Sequence, residues 1–311
     1  MNRTSSDILA LSMVPGLGPR RIAMLLEEAD DTEDIFSMTD QRLQSVLGRA
    51  FRNKDLLRGA RNSEDFAEEM EYITSRGIRL LCPGQKGYPG ALREIYDPPA
   101  VLFIKGQFRP EDANAVAVVG SRRCTSYGER MARELASGLA EAGITVVSGM
   151  ARGIDTASHE GALRAGGRTI AVMGSGFRHI YPPEAEELAE RIAERGAVLT
   201  EYPSRQSPTR RSFPQRNRII SALCKGVVVV EAAARSGALI TADFALEHGR
   251  EVFAVPGRAD FATSRGTNML IQNGAKLVTR VEDILEEIRL DASAGNESSP
   301  PSLEITGQTV R

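Results

Sequence analysis

The sequence predicts an α/β protein in which a doubly wound, mostly parallel sheet follows a small all-α domain. Two observations support this fold class. Between residues 111 and 288, short apolar runs alternate with helical patterns, as in successive βα units whose sheet is covered on both faces. Before residue 80, by contrast, apolar side chains recur mainly at helical spacing.

Residues 1–80 are predicted to form the small helical domain. Its first two helices flank a Gly/Pro turn, Val14-Pro-Gly-Leu-Gly-Pro19, which is typical of a helix-hairpin-helix. In such a hairpin the glycine N–H groups can approach a DNA phosphate. The alternative is a plain connector between two packed helices, and the acidic run Asp30–Asp34 weakens the DNA interpretation.

Residues 81–110 are rich in proline and glycine and are predicted to connect the two domains, with a possible edge strand at Val101–Ile104. Residues 111–288 form the predicted main domain. Residues 289–311 are rich in serine and proline, which indicates a flexible tail or linker.

The main domain has seven predicted strands, mostly short apolar runs. They are Ala115–Val119, Thr145–Val147, Thr169–Met173, Ala197–Thr200, Gly226–Val230, Glu251–Ala254 and Lys276–Val278. Between the first two strands, Met131, Leu135 and Leu139 recur every fourth residue, and Gly143 closes a predicted helix.

Composition excludes several classes of protein. No window approaches about 18 uninterrupted apolar residues, so no membrane span is expected, and the absence of a signal-peptide pattern predicts a cytoplasmic protein. The three cysteines form no CxxC pair, which argues against a disulfide framework or a zinc site. The chain is nearly neutral, with 39 Lys+Arg against 41 Asp+Glu, so any polyanion site must be local.

Such a local site is indicated by Pro203–Ile220, which holds five arginines and no acidic residue: Arg205, Arg210, Arg211, Arg216 and Arg218. Guanidinium groups suit phosphate recognition. Within this block, Phe213 can stack on an unpaired base, with Gln215 and Asn217 as polar neighbours. The alternative is a surface loop that Asn217 caps while Phe213 is buried. The block favours a nucleic acid as the ligand.

Glycine and serine follow several of the predicted strands, at the edge of the sheet where ligands bind. The candidate phosphate-binding residues there are Gly120, Ser121, Arg122, Ser148, Gly149, Gly174, Gly176, Ser236 and Gly237. A rim of this length suits a chain of phosphates. The spacing does not fit a dinucleotide fingerprint, because His179 stands where Gly174 and Gly176 would require the next glycine. No cofactor is predicted.

Two further constellations have two interpretations each. Asp155 and His159 share a helical face and could form an acid–base pair, but the absence of a nearby nucleophile or metal ligand favours a capped helix with a packed imidazole. Glu231 follows a strand and could be a catalytic carboxylate or the partner of an arginine.

Several ordered blocks resemble the DNA processing protein A family (DprA, also called Smf) over roughly residues 85–285. They are VVGSRR, SGMARGIDTASHEGAL, GGRTIAVMGSG, YPPE, FPQRNRII, VVVVEAAARSGALITA, VFAVPGR and GTNMLIQNGA. The N-terminal helices resemble the small SAM-like domain of that family.

This resemblance implies an extended Rossmann-like fold that binds single-stranded DNA. Family members protect incoming DNA during natural transformation, load the RecA recombinase onto it, act as homodimers and are not known as enzymes. The resemblance further implies that Arg122 holds a DNA phosphate. It places Arg216, Asn217 and Arg218 in the same groove, with Ser148 and Gly149 nearby.

The chain departs from the family pattern in two places. Pro183 and Gln215 stand where many relatives carry basic residues, and Arg210 or Arg211 can compensate. Many members continue into a C-terminal winged-helix domain, which is expected to be absent from this chain or cut off.

The alternative function is an enzyme resembling the nucleoside-monophosphate phosphoribohydrolases of the lysine-decarboxylase-like fold. The segment beginning at Glu231 lacks their glycine run, so no catalytic residue is assigned.

Overall fold

The computed structural model describes residues 4–290. The predicted tail at 289–311 therefore lies almost entirely outside the described residues. Six helices come first: α1 (Ser5–Ser12), α2 (Pro19–Glu28), α3 (Thr32–Ser37), α4 (Asp40–Leu47), α5 (Lys54–Gly59) and α6 (Glu64–Ser75). The sheet region then runs β1 (Arg79–Leu81), β2 (Leu102–Gly106), β3 (Ala115–Val119), α7 (Ser126–Glu141), β4 (Thr145–Ser148), α8 (Ile154–Arg164), β5 (Thr169–Val172), α9 (Glu186–Arg195), β6 (Ala197–Thr200), α10 (Ser212–Ala222), β7 (Gly226–Val229), α11 (Gly237–Glu247), β8 (Glu251–Ala254), α12 (Arg265–Gln272), β9 (Lys276–Leu277) and α13 (Glu282–Leu285).

The nine strands form one sheet in the order β1-β2-β6-β5-β4-β3-β7-β8-β9. Strands β3 to β9 run parallel to one another, whereas β2 pairs antiparallel with both β1 and β6. The chain winds outward from β3 to β6 and then returns to place β7 on the other side of β3. This is the doubly wound, mostly parallel arrangement that the sequence predicts, and its switch point lies between β3 and β7.

Alternate residues of the central strands face opposite layers of helices, as the two-residue repeat of a strand requires. Val116 and Val118 pack with α7 and α8 on one face. Ala117 and Val119 pack with α10 and α11 on the other face. Because both faces of the sheet are covered, the strand sequences are continuous apolar runs. All seven predicted strands are present, and their ends differ from the predicted ones by at most one residue.

The predicted edge strand at Val101–Ile104 is wrong in its position in the sheet. Strand β2 begins at Leu102 and pairs on one side with β6 and on the other with β1, which is the actual edge. Strand β1 has only three residues, Arg79–Leu81, and so offers too short a pattern to detect. Residues 81–110 therefore supply a strand of the sheet as well as a connection.

The N-terminal helices share one apolar cluster with the sheet. One apolar cluster runs from Leu9, Leu25 and Ile73 of these helices to Phe103 of β2 and Val198 of β6. The α1–α2 hairpin turns at Gly16, whose φ of 85° lies in the region that favours glycine. Across residues 4–290, every helix is too short or too polar to cross a membrane.

Candidate nucleic-acid interface

A cleft of about 400 Å³ opens at the switch point, beyond the carboxyl ends of β3 and β7. Nine of the predicted site residues line it: Gly120, Ser121, Arg122, Arg210, Phe213, Arg216, Asn217, Ser236 and Gly237. They come from three separate stretches of the chain, 120–122, 210–217 and 236–237. The switch point of a parallel sheet is the usual ligand position in this architecture, and here it brings Arg122, Arg210 and Arg216 together.

The turn after β3 carries two exposed arginines, Arg122 and Arg123, and of these Arg122 lines the cleft. A Cβ on Gly120 would lie 2.7 Å from Ile154 Cγ1, so the turn packs tightly against α8. The Ser121 N–H donates to the carbonyl of Glu231 at 2.8 Å, and the Ser121 hydroxyl accepts from the Arg123 N–H at 3.1 Å. Gly120 and Ser121 therefore shape the turn, and Arg122 is exposed where it lines the cleft.

Arg122 and Phe213 form a cation–π pair in the cleft, with the guanidinium carbon 4.5 Å from the ring centroid. Behind it, the Phe213 ring lies 5.7 Å from the ring of Tyr181 and against Gly174, where a Cβ would lie 2.9 Å from Phe213 Cδ1. The phenyl ring is half-buried, so it is held by its neighbours while part of it faces the cleft.

Arg216 forms the buried floor of the cleft. Its guanidinium donates to the carbonyl oxygens of Gly149 (2.6 Å) and Val172, and to Asn217 Oδ1 at 3.1 Å. Burial lowers the pKa of Arg216 to about 10, so the group remains a cation at neutral pH. Burial also raises the pKa of Asp155, which lines the same cleft, while the nearby Arg216 opposes that shift.

The N-terminus of α11 supplies a second source of positive potential. Ser236 caps this helix and accepts from the Ala238 N–H at 3.3 Å, and Asn217 Nδ2 donates to the Gly237 carbonyl at 3.3 Å. An eleven-residue helix places partial positive charge at its first turn. The helix start, Arg122 and Arg210 thus favour an anion in the same cleft.

Exposed arginines among the cleft-lining residues or directly next to them in the sequence are not neutralised by carboxylates. Arg122, Arg210, Arg211 and Arg235 are exposed, and none of them forms an ion pair within residues 4–290. Arg235, directly before the cap of α11, was not singled out from the sequence, although its place beside Ser236 in a strand-to-helix turn was the available signal.

Several predicted residues lie outside the cleft lining. The buried hydroxyl of Ser148 donates to the Val118 carbonyl at 2.7 Å, so it supports the sheet. Gly176 packs against the backbone of Ser204, and Gly149 and Gly174 make room for Arg216 and Phe213. Gln215 lies near Tyr202, whose hydroxyl is 3.4 Å from Gln215 Oε1. Arg211 is exposed and follows Arg210, which lines the cleft, in the sequence.

Arg218 does not reach the cleft, in contrast to the prediction. Its side chain is 6% exposed and pairs with Glu201 at 2.7 Å and with Asp97 at 2.9 Å. Arg216 and Arg218 are two residues apart on a helix and point in different directions, which separates two side chains that the sequence block groups together.

The Asp155–His159 acid–base interpretation is wrong. The packed imidazole of the alternative is confirmed, but Asp155 does not cap α8, whose N-cap is Gly153 with no side-chain cap hydrogen bond. His159 is buried with Nδ1 2.7 Å from Thr169 Oγ1, and burial lowers its pKa to about 3, with Arg216 adding to the shift. Asp155 instead accepts from the Ala151 N–H at 3.2 Å. His159 therefore serves the fold, whereas Asp155 holds the turn before α8 where that turn lines the cleft.

Glu231 matches neither of its two interpretations. It is buried, and its carboxylate accepts from the N–H (2.8 Å) and hydroxyl (2.5 Å) of Thr125 at the start of α7. A Cβ on Gly128 would lie 2.5 Å from the Glu231 carboxyl carbon, so glycine admits this contact. Glu231 holds the helix that follows the Arg122 turn. Within residues 4–290, no group of three His, Cys, Asp or Glu side chains is arranged to hold a metal ion.

Comparison with known proteins identifies relatives of this chain. The family model for DNA recombination-mediator protein A matches residues 79–289. A protein named Smf from Synechocystis is 38% identical over 291 residues, which is 92% of this chain and 72% of that protein. The DNA processing protein DprA of Bacillus subtilis is 45% identical over 214 residues, covering 68% of this chain and 72% of the relative.

Solved structures agree with these matches. The crystal structure of DNA processing protein A from Streptococcus pneumoniae superposes with a TM-score of 0.81 at 37% identity, covering 94% of this chain and all of that one. A structure describing the single-stranded DNA binding mode of DNA processing protein A from Helicobacter pylori superposes with a TM-score of 0.61 at 30% identity, over 68% of this chain and 97% of that one. On the family match and these identities, the chain belongs to the DNA recombination-mediator protein A family.

Proposed function

We propose that this protein binds single-stranded DNA in the cleft at the β3/β7 switch point. The observation that carries the proposal is the meeting of unpaired arginines, a half-exposed phenyl ring and a helix N-terminus in that one cleft. Arg122 and Arg210 would contact phosphates, and Phe213 would stack on a base. Single strands are the form of DNA whose bases are free to stack on an aromatic side chain.

Arg211 and Arg235 extend the proposed surface beyond the cleft. Both are exposed and lie next in sequence to cleft-lining residues, Arg210 and Ser236. A chain of phosphates could therefore meet more cations than one nucleotide needs. The relative from Helicobacter pylori, whose structure describes single-stranded DNA binding, supports this assignment.

We further propose that the protein is a cytoplasmic recombination mediator that protects incoming single-stranded DNA and loads a RecA recombinase onto it. The family description and the names of the relatives as DNA processing proteins support this role. A RecA filament-assembly assay on the protein–DNA complex tests it. Filaments should assemble faster with the protein than without it, and no acceleration would contradict loading.

We also propose a homodimer that forms through the β9 end of the sheet. Leu246 on α11, Met269 on α12 and Leu277 on β9 expose 64%, 41% and 43% of their surface, and all three elements adjoin β8. An edge strand flanked by apolar side chains can pair with a second copy. Sedimentation analysis should give a dimer that Leu277→Lys weakens, whereas a monomeric wild type would contradict the proposal.

The competing function, nucleoside-monophosphate hydrolysis, has less support. The carboxylate that would have served it, Glu231, is buried against Thr125 and does not line the cleft. Release of ribose 5-phosphate from nucleoside monophosphates by the purified protein would reverse this preference.

The decisive experiment is fluorescence anisotropy of labelled oligo-dT and of a duplex across a salt series. The wild type should prefer the single strand, with an affinity that falls steeply as salt rises because phosphate contacts release counterions. Arg122→Ala should lower affinity for all sequences and reduce the log–log salt slope by about 1. Arg191→Ala, which removes an exposed arginine on α9 away from the cleft, is the matched control and should change little.

No binding at low salt would contradict the proposed function. Equal losses in Arg122→Ala and Arg191→Ala would contradict the location of the site, because only a general loss of positive charge would then be measured.

A further inference from the structure

We propose that Glu69, on the last of the N-terminal helices, is a positioning residue for the single-stranded DNA site. Glu69 acts by holding the segment 203–211, which we call the arginine loop. This inference rests on the proposed DNA-binding function. It assigns to the helical domain a part in DNA affinity that does not require the domain to touch DNA.

Glu69 is buried, with 2% of its surface exposed, and both of its carboxylate oxygens bind one residue of the arginine loop. Oε1 accepts from the Ser204 N–H at 2.7 Å, and Oε2 accepts from the Ser204 hydroxyl at 2.5 Å. A buried carboxylate is tolerated when it is hydrogen-bonded in this way. The contact joins residues 135 positions apart and ties α6 to the loop.

The turn after β5 binds the same part of the arginine loop. The Arg178 N–H donates to the Ser204 carbonyl at 3.0 Å, and the Gly176 N–H donates to the Gln206 carbonyl at 2.8 Å. The Arg178 guanidinium also stacks 4.3 Å from the ring centroid of Tyr72, which belongs to α6. Segment 203–206 is therefore held between α6 and this turn.

The far end of the loop is fixed where α10 begins. Ser212 Oγ donates to the Gly174 carbonyl at 2.6 Å, and the Ser212 N–H donates to Thr209 Oγ1 at 3.0 Å. Arg210, which lines the cleft, lies between the two anchors. A loop that is ordered before DNA arrives loses less conformational freedom on binding, so the Glu69 contact should increase affinity.

The sign of the effect separates positioning from simple electrostatics. Glu69 is a carboxylate beside a basic loop, so on charge alone its removal should strengthen the binding of a polyanion. Positioning predicts the opposite, a weakening. Glu71 provides the matched control, because it is an exposed carboxylate on the same helix and, among the described residues, forms no hydrogen bond or ion pair with the arginine loop.

The test compares the full-length Glu69→Ala, Glu69→Gln and Glu71→Gln variants with the wild type, using anisotropy of labelled oligo-dT and thermal unfolding. Both Glu69 variants should bind about three- to tenfold more weakly at a temperature where they are folded. Glu71→Gln should bind as tightly as the wild type or slightly more tightly. If Glu69→Ala does not fold, the isosteric Glu69→Gln carries the comparison.

A double-mutant cycle adds a measurement that a purely structural role would not affect. If Glu69 acts through Arg210, Glu69→Gln should cost little further affinity in an Arg210→Ala background. Glu69→Gln should also reduce the dependence of DNA affinity on salt concentration, but only when Arg210 is present.

Wild-type-like or tighter binding by the Glu69 variants would overturn the inference and leave the DNA site intact. If the losses of DNA affinity caused by Glu69→Gln and Arg210→Ala were additive, Glu69 would not act through Arg210. A wild type that fails to bind oligo-dT would instead remove the proposed function itself, which distinguishes the two failures.

Discussion

Arg216 Nη1 donates to the carbonyl oxygen of Gly149 at 2.6 Å, and a Cβ on residue 149 would come within 2.6 Å of the same nitrogen. The contact joins the turn after β4 to α10 across the middle of the molecule. It explains why a glycine stands in this turn, because no side chain fits between the backbone and the guanidinium. The cationic floor of the cleft therefore depends on the absence of a methyl group.

Gly149→Ala should displace Arg216 and lower the free energy of unfolding by about 1–3 kcal/mol, the usual cost of an overpacked core. The affinity for single-stranded DNA should fall as well, because the floor of the cleft moves. Urea unfolding and anisotropy measure the two effects. Gly59→Ala is the control, since nothing lies within 4 Å of a Cβ there and its φ is ordinary. Equal stability of the two variants would contradict the packing argument.

Phe213→Ala should weaken single-stranded DNA binding by about 1–3 kcal/mol, the contribution of one base stacked on an aromatic ring. Phe213→Tyr keeps the ring and should bind nearly as well as the wild type. Anisotropy with oligo-dT gives the affinities, and thermal unfolding reports the packing lost beside Gly174 and Tyr181. Unchanged affinity in Phe213→Ala would show that no base stacks on this residue.

Arg218→Met should destabilise the protein by about 3–5 kcal/mol, because it leaves Glu201 buried without its partner. Burial raises the pKa of Glu201 even with Arg218 present. At a temperature where the variant is folded, its DNA affinity should match the wild type. Arg210→Ala should behave in the opposite way, with lower affinity and a stability change within about 0.5 kcal/mol. A loss of DNA affinity in folded Arg218→Met would show instead that Arg218 contributes to DNA binding.

The stability of the protein should depend on His159 as the pH falls below 6.5. In the folded protein burial lowers the His159 pKa from 6.5 to about 3. At a pH between these values His159 is therefore protonated in the unfolded chain and neutral in the folded one. The free energy of unfolding therefore decreases as pH drops between these values, by at most about 1.4 kcal/mol per pH unit. This contribution is fully present above pH 6.5.

Urea unfolding at pH 7, 6 and 5 should show that His159→Asn has lost this part of the pH slope. His179→Asn, a substitution of an exposed histidine, should retain the wild-type slope. If the free energy of unfolding depended on pH equally in the wild type and His159→Asn, the folded protein would not hold the His159 imidazole neutral.

The sequence predicts those parts of the site that local pattern controls. Strand β3 is a continuous apolar run followed by Gly120, and the carboxyl ends of parallel strands meet at one edge, so the approach of Arg122 to Ser236 could be foreseen. Strand β1 could not be foreseen in the same way, because three residues carry no measurable alternation.

The role of each arginine could not be predicted from the arginine-rich block, because charge and spacing do not show which carboxylates lie nearby. Arg205 pairs with Asp65 and Glu68 of α6, Arg218 pairs with Glu201 and Asp97, and Arg210 is left unpaired at the cleft. The carboxylates of Asp65, Glu68 and Asp97 lie more than 100 residues away in the chain from the arginines they meet.

The sequence by itself determined the alternation of strands and helices, the glycine turns at the sheet edge and the basic character of residues 203–220, because each is a property of neighbouring residues. Only the tertiary structure decided that Arg216 is a buried floor, that Glu231 holds α7 and that Glu69 reaches Ser204. The physical reason is that the function of a polar side chain is set by its partners and its burial. Both are decided by which distant segments the packing of the core brings together.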